Sequence, residues 1–227
     1  MSHIGTLTEK SLHASLKDWV SQPGDQFEVK VDGFVIDIVR GDGLIEIQTG
    51  NFAALKRKLA ALLDRHRVRL LHPIPREKWI VRQNENGDQV SRRKSPKRGR
   101  VEDIFTQLVY IPHLLPHPNL TVEALLTQEE EIWRDDGQGS WRRKHWSIHD
   151  RRLLRVVDRQ AFSSIGDLLA LLPADLSDPF TNANLAATLA CRPRLAQKIT
   201  YTLRQAGAIA ATGKQGRATL YKITRAQ

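Results

Sequence analysis

Residues 26–48, QFEVKVDGFVIDIVRGDGLIEIQ, decide how the chain is read. Three runs alternate polar with β-branched or aromatic residues: QFEVKV (26–31), FVIDIVR (34–40) and LIEIQT (44–49). Asp32-Gly33 and Gly41-Asp42-Gly43 separate them, a signal for two consecutive hairpins. A turn at Asp32-Gly33 sets Val29 against Ile36 and Glu28 against Asp37. A turn at Gly41-Asp42 sets Asp37 against Glu46 and Val35 against Gln48. Directly paired residues share a face, about 4.5–5.5 Å apart at Cβ. Glu28, Asp37 and Glu46 are therefore expected in one row, with Val29, Val31, Phe34, Ile36, Ile38, Ile45 and Ile47 on the opposite face. Adjacent carboxylates repel unless a proton or cation intervenes. Mg²⁺ suits such a pair, because it uses one or two protein carboxylates and keeps several waters. A solvated polar face with Lys30 as counter-ion fits the same pattern.

Outward from this stretch, residues 9–20 place Leu12, Leu16 and Trp19 at helical intervals. Asn51 caps a helix over 52–66, with Phe52, Leu55, Leu59, Leu62 and Leu63 on one stripe. VRLLHPI (68–74) and KWIVRQ (78–83) read as two further strands, 84–100 as a mobile basic loop, and 101–111 as a short helix or strand. YIPHLLPHPNL (110–120) holds three prolines and reads as a linker. Helical patterns are expected at 121–133, 148–157 and 164–172. The domains implied are 1–109, the linker 110–120, and 121–227. The class is α/β for the first and α+β for the last.

Asp37 followed by Glu46-Ile47-Gln48, with Glu9 on the preceding helix, resembles the PD-(D/E)XK nuclease superfamily. The likeness is nearest to archaeal Holliday-junction resolvases and small restriction-type nucleases. It covers about residues 5–83. It implies a restriction-endonuclease-like αβββαβ core in which Asp37, Glu46 and the Ile47 carbonyl bind Mg²⁺ or Mn²⁺. Glu9 would hold a metal-bound water or a second ion. Gln48 stands where the superfamily usually has lysine. It positions water but supplies no positive charge, and Lys30 or Lys56 is the candidate to replace that charge. The chemistry implied is phosphodiester hydrolysis by in-line attack of an activated water.

The tail completes the expectation. TNANLAATLA (181–190) and PRLAQKITYTLRQA (193–206) read as two helices, the second opened by Pro193 and closed by Gly207. AIAAT and ATLYKIT follow as strands around GKQGR. Helix, turn, helix and hairpin resemble a winged-helix DNA-binding domain over about 164–225. Leu195, Ile199, Leu203 and Ala206 form its seam. Arg194, Gln197, Lys198, Tyr201 and Arg204 would face a groove, with Lys214 and Arg217 at the wing tip.

Charge agrees with a polyanionic partner. The 227 residues carry 35 Lys or Arg against 25 Asp or Glu, a net charge of +10. Residues 91–100 hold six cations and no acid, and residues 181–227 hold eight and no acid. One cysteine, Cys191, excludes an intrachain disulfide framework and a multi-cysteine zinc site. No apolar run is long enough to span a bilayer, and MSHIGTLTEK lacks the features of a secretory leader, so a cytoplasmic protein is expected. The function expected is a Mg²⁺-dependent endonuclease acting on double-stranded or branched DNA. The alternatives are a DNA-binding regulator with an inactive nuclease-like domain, and an RNA-processing nuclease. A homodimer would let two strands be cut; the sequence leaves the oligomeric state open.

Overall fold

The computed structural model describes residues 11–84, 86–136 and 146–224. Helix α1 (Ser11–Val20) leads into β1 (Gln26–Val31), β2 (Phe34–Arg40) and β3 (Gly43–Ile47). A 3₁₀ turn (Phe52–Leu55) and α2 (Lys56–Leu62) precede β4 (Arg67–Gln83). The element order α, three strands, α, strand is as expected. Both hairpins have the expected register: Val29↔Ile36 in the first and Ile38↔Ile45 in the second. Asp32 (φ 47°) and Gly33 (φ 85°) both take the left-handed conformation that a type I′ turn needs. Gly41 (φ 57°) supplies it at the second hairpin.

The sheet is larger than expected. β5 (Gln89–Lys94), β6 (Leu120–Arg134) and β7 (Ser147–Phe162) join it, giving seven strands in the order β1-β2-β3-β4-β6-β7 with β5 also on β4. β3 and β6 run parallel to β4, and the other pairings are antiparallel. β4 is long enough to hold two neighbours along one edge. β3 pairs with residues 67–71 and β5 with residues 79–83, which leaves a gap between them. The opposite edge of β4 is filled along its length by β6.

Several expectations are corrected. The strands 68–74 and 78–83 are one strand, irregular at Pro75/Glu77. Residues 89–94 of the expected basic loop are β5. Residues 121–133 and 148–157 are strands, not helices. In β6, Thr127, Glu129, Glu131 and Trp133 are buried on alternate residues of one face, a period of two. The 110–120 segment is not a linker, because Ile111, Leu115 and Leu120 are buried in the main core. The first domain therefore does not end at 109; its sheet closes with Phe162.

Core lies on both faces. Leu12, Leu16 and Val20 of α1 pack with Ile38, Ile45, Ile47, Leu71 and Leu125. Val20 takes the place expected for Trp19, which is 41% exposed. The other face is covered by Phe52, Leu59 and Leu62, by α3 (Phe105–Leu108), and by the C-terminal elements. Thus Ile36 and Ile38, expected in one apolar layer, belong to different cores.

The C-terminal module follows the sequence closely. It comprises α4 (Ile165–Leu169), α5 (Asn182–Thr188), α6 (Pro193–Gln205), β8 (Ile209–Gln215) and β9 (Ala218–Ile223). Thr181 caps α5, its hydroxyl accepting from the Asn184 N–H. Gly207 (φ 79°) ends α6. Ala196, Ile199 and Leu203 are buried in the core shared with the sheet. No described helix is long and apolar enough to cross a membrane.

Candidate metal centre and nucleic-acid surface

Asp37 and Glu46 meet where two strands part. The β2–β3 ladder runs from Arg40↔Gly43 to Ile38↔Ile45, and beyond it β3 continues beside β4. In the opened fork the Ile47 N–H donates to Asp37 Oδ2 at 2.8 Å, and the Asp37 backbone lies beside the Glu46 carboxylate, helping to stabilise its charge. Backbone that no longer pairs across the hairpin is satisfied by these side chains.

Each carboxylate has a side-chain partner from the helix on its own side. Lys58 of α2 places Nζ 2.5 Å from Glu46 Oε1 and also donates to the Val35 carbonyl. His13 of α1 places Nε2 3.3 Å from Asp37 Oδ2. One turn further along α1, Lys17 pairs with Glu28 at 3.1 Å. Glu28 has φ 55° and is half exposed, so the expected row of three carboxylates is a close pair plus an outlying ion pair.

The pair is electrostatically split. Burial raises the Glu46 pKa and the Asp37 charge adds to this, against the hydrogen bond from Lys58. Burial would also raise Asp37, but the His13 and Ile47 hydrogen bonds outweigh it and hold its pKa below the usual value. Two like charges so close pull their proton affinities apart.

The expected site residues fall into three groups. Asp37 and Glu46 converge, with Ile47 between them. Gln48 follows directly, but its side-chain amide donates to the Asn51 carbonyl at 2.9 Å and so fastens the loop into α2. Lys30 is exposed and pairs with Val35 on the edge strand, and Lys56 is exposed; the cation that reaches Glu46 is Lys58. Glu9 lies outside the described residues. His13 and Lys58 are the two members of the site that sequence reasoning did not assign. Lys56 and Lys58 flank the α2 stripe on opposite sides, and only the path of the helix over the sheet decides between them.

Among the described residues no three His, Cys, Asp or Glu side chains are grouped to hold a metal ion. Asp37 and Glu46 nevertheless fit Mg²⁺ by donor type, since both offer hard oxygens and one or two carboxylates are its usual protein share. Here Lys58 pairs with Glu46 and His13 hydrogen-bonds Asp37.

On the C-terminal module, Arg194, Gln197, Tyr201 and Arg204 are exposed along α6, and Lys214 and Arg217 are exposed at the β8–β9 turn. Lys198 differs: its ammonium donates to the Thr106 carbonyl at 3.3 Å, so it docks α6 onto the body.

Residues 10–163 match the family described as "Domain of unknown function (DUF8091)". The match ends one residue after β7. A protein of Treponema pallidum (strain Nichols), given as an uncharacterized protein, is 34% identical over 223 residues, covering 96% of this chain and 87% of its own length. That similarity therefore runs through the sheet and the C-terminal module alike. No solved structure matches the chain.

Proposed function

The chain belongs to that family, and we propose that it is a Mg²⁺-dependent DNA endonuclease with a restriction-endonuclease-like core and a winged-helix DNA-docking module. The observation that carries this reading is the convergence of Asp37, Glu46 and Lys58 in the strand fork. Two hard-oxygen groups and one ammonium at a sheet end are the parts needed to bind a divalent ion beside a phosphodiester.

Asp37 and Glu46 would hold the ion, which lowers the pKa of water and offsets charge on the scissile phosphate. Lys58 supplies the positive charge that Gln48 lacks. When the carboxylates take up an ion, its ammonium can turn to the phosphate oxygens, where charge builds as water attacks in line and the P–O bond breaks. His13 fixes the Asp37 carboxylate and sits close enough to hold a proton at Nε2. Gln48 acts through the backbone, tying the end of β3 to the start of α2 and so keeping Lys58 over Glu46. The exposed cations of α6 and the wing contact phosphates of the duplex.

The test is cleavage of duplex, four-way-junction, single-stranded and RNA substrates with Mg²⁺ or Mn²⁺. Metal-dependent cutting of DNA that Asp37→Asn abolishes is the expected result. Absence of cutting on every substrate, with DNA binding intact, would favour a regulator. That second reading has one observation on its side, the Gln48 amide turned away from the carboxylates. Cutting confined to RNA would favour an RNA-processing enzyme.

A further inference from the structure

The gap along β4 between β3 and β5 opens into a cleft of about 810 Å³. Its floor is residues 72–75 of β4. One wall is the segment 96–100, and the other is the turn between α5 and α6 with Leu195. The wall is pinned to the floor and to the C-terminal module. The Ser95 N–H donates to the Lys78 carbonyl at 2.7 Å, the Gly99 N–H to the Pro75 carbonyl at 2.9 Å, and the Arg100 guanidinium to the Leu189 carbonyl at 2.6 Å. Gly99 is required there, because a Cβ would stand 2.7 Å from the Pro75 oxygen.

The rim is cationic. Lys78, Lys97, Arg98, Arg100 and Arg192 line the cleft, with Asp103 the one carboxylate among its lining residues. Lys78 is committed to Glu131 and Arg100 to Glu102. Lys97 and Arg192 are exposed and have no carboxylate partner among the described residues. The floor is largely apolar, with Pro73, Ile74 and Pro75, and Leu195 adds to this from the wall.

One end of this cleft lies toward the candidate metal centre without including its side chains. His72, at one end of the floor, donates from Nδ1 to the Gln48 carbonyl at 2.6 Å, two residues from Glu46. Its other end meets the first turn of α6, whose exposed face carries Arg194.

We infer that the cleft receives a single nucleic-acid strand, so that the substrate joins a duplex held by the C-terminal module to an unpaired strand led toward Asp37 and Glu46. The inference rests on the nuclease reading and narrows its substrate. Single-strand sites combine a cationic groove for the backbone with side chains, most often aromatic, on which the bases stack; here the apolar prolines of the floor take that place. Pockets of about 300–1,000 Å³ enclose drug-sized molecules, so 810 Å³ is on the scale of a short run of one strand.

The experiment compares binding, in EDTA, of a blunt duplex of about 20 base pairs and of the same duplex with a tail of about ten thymidines, within the single-strand site sizes known. Tails of either polarity are used. The full chain should bind one tailed duplex about tenfold more tightly, about 1.4 kcal/mol by RT ln 10. Lys97→Glu with Arg192→Glu should remove that preference and leave blunt-duplex affinity unchanged; both residues are exposed, so the fold should persist. Equal binding of tailed and blunt duplexes by the full chain would overturn the inference, as would an equal loss on both in the double variant. Cleavage with Mg²⁺, assayed in parallel, keeps the two readings apart. Tail preference without cleavage sinks the nuclease and keeps the cleft. Cleavage sensitive to Asp37→Asn without tail preference does the reverse.

Discussion

The ammonium of Lys58 lies 2.5 Å from Oε1 of Glu46, so a buried carboxylate on β3 is paired with a lysine of the following helix. Their side chains are 15% and 5% exposed. Breaking such a pair on one side leaves an uncompensated buried charge. The pairing therefore ties stability to the same groups that the proposed chemistry uses.

Lys58→Met should lower cleavage about 100-fold, the scale seen when one positioned donor is removed from a reacting centre. Lys58→Arg should retain part of the rate, and Lys56→Met should match the wild type. Single-turnover cleavage rates check this. A Lys56→Met defect equal to that of Lys58→Met would assign the charge to the wrong flank of α2.

Asp37→Asn and Glu46→Gln keep shape and remove metal charge. Each should reduce cleavage by at least about 100-fold while duplex affinity in EDTA stays within about twofold. Either variant cutting at the wild-type rate would remove the metal centre from the mechanism.

His72 carries a pH prediction. Its burial lowers the pKa from 6.5 to about 4, helped by the charge of Arg151 and opposed by the bond to the Gln48 carbonyl. A histidine depressed on folding binds fewer protons in the native than in the unfolded state between those values, so stability rises with pH across the window. Acidification from pH 6.5 to 4 should cost up to about 3 kcal/mol through this residue, at about 1.36 kcal/mol per pKa step. Denaturant melts of wild type and His72→Phe should differ in slope across that range; parallel curves would mean His72 is solvated.

Gly99→Val should destabilise by about 1–3 kcal/mol, the usual cost of forcing atoms into a packed site, because its Cβ would meet the Pro75 oxygen and Ile74 Cγ2. Thermal melts check this, and an unchanged melting temperature would show that the 96–100 segment is free to shift.

Reversal of Arg194, Arg204 and Lys214 together should weaken duplex binding and shrink the log–log salt slope by about 0.9 per lost phosphate contact. Lys198→Glu should act differently, loosening α6 from Thr106 and lowering the melting temperature. An unchanged salt slope in the triple variant would take the docking role away from α6.

Local signals carried far, and non-local pairing was where they failed. Hairpin registers followed from Asp32-Gly33 and Gly41-Asp42, because turn geometry fixes pairing over short distances. The helices of the C-terminal module followed from Thr181, Pro193 and Gly207. By contrast, β6 reads LTVEALLTQEEEIWR, rich in helix formers, and it is a strand because β4 lies alongside it. Two of its buried glutamates pair with partners that the sequence places far away: Glu123 with Arg69 and Glu131 with Lys78. The prolines of 110–120 read as a linker, yet Ile111 and Leu115 are core. Asp37 and Glu46 were legible because one hairpin brings them together. His13 and Lys58 were not, because helices lying over a sheet have no register with it in the sequence.

The parallel alignment of β4 with β6, from Val68↔Leu120 to Gln83↔Arg134, bears on the order of folding. The β2–β3 hairpin closes over two residues, whereas β4 must find a strand beyond β5 and the 101–119 segment. Non-local pairing of this kind is slow, since loop-closure entropy is lost before contacts compensate it. The acidic pair can meet early, but the Leu71 and Leu125 floor beneath α1 waits for β6. Substitutions in β6 should thus delay completion of the fold around the fork without touching any group in it.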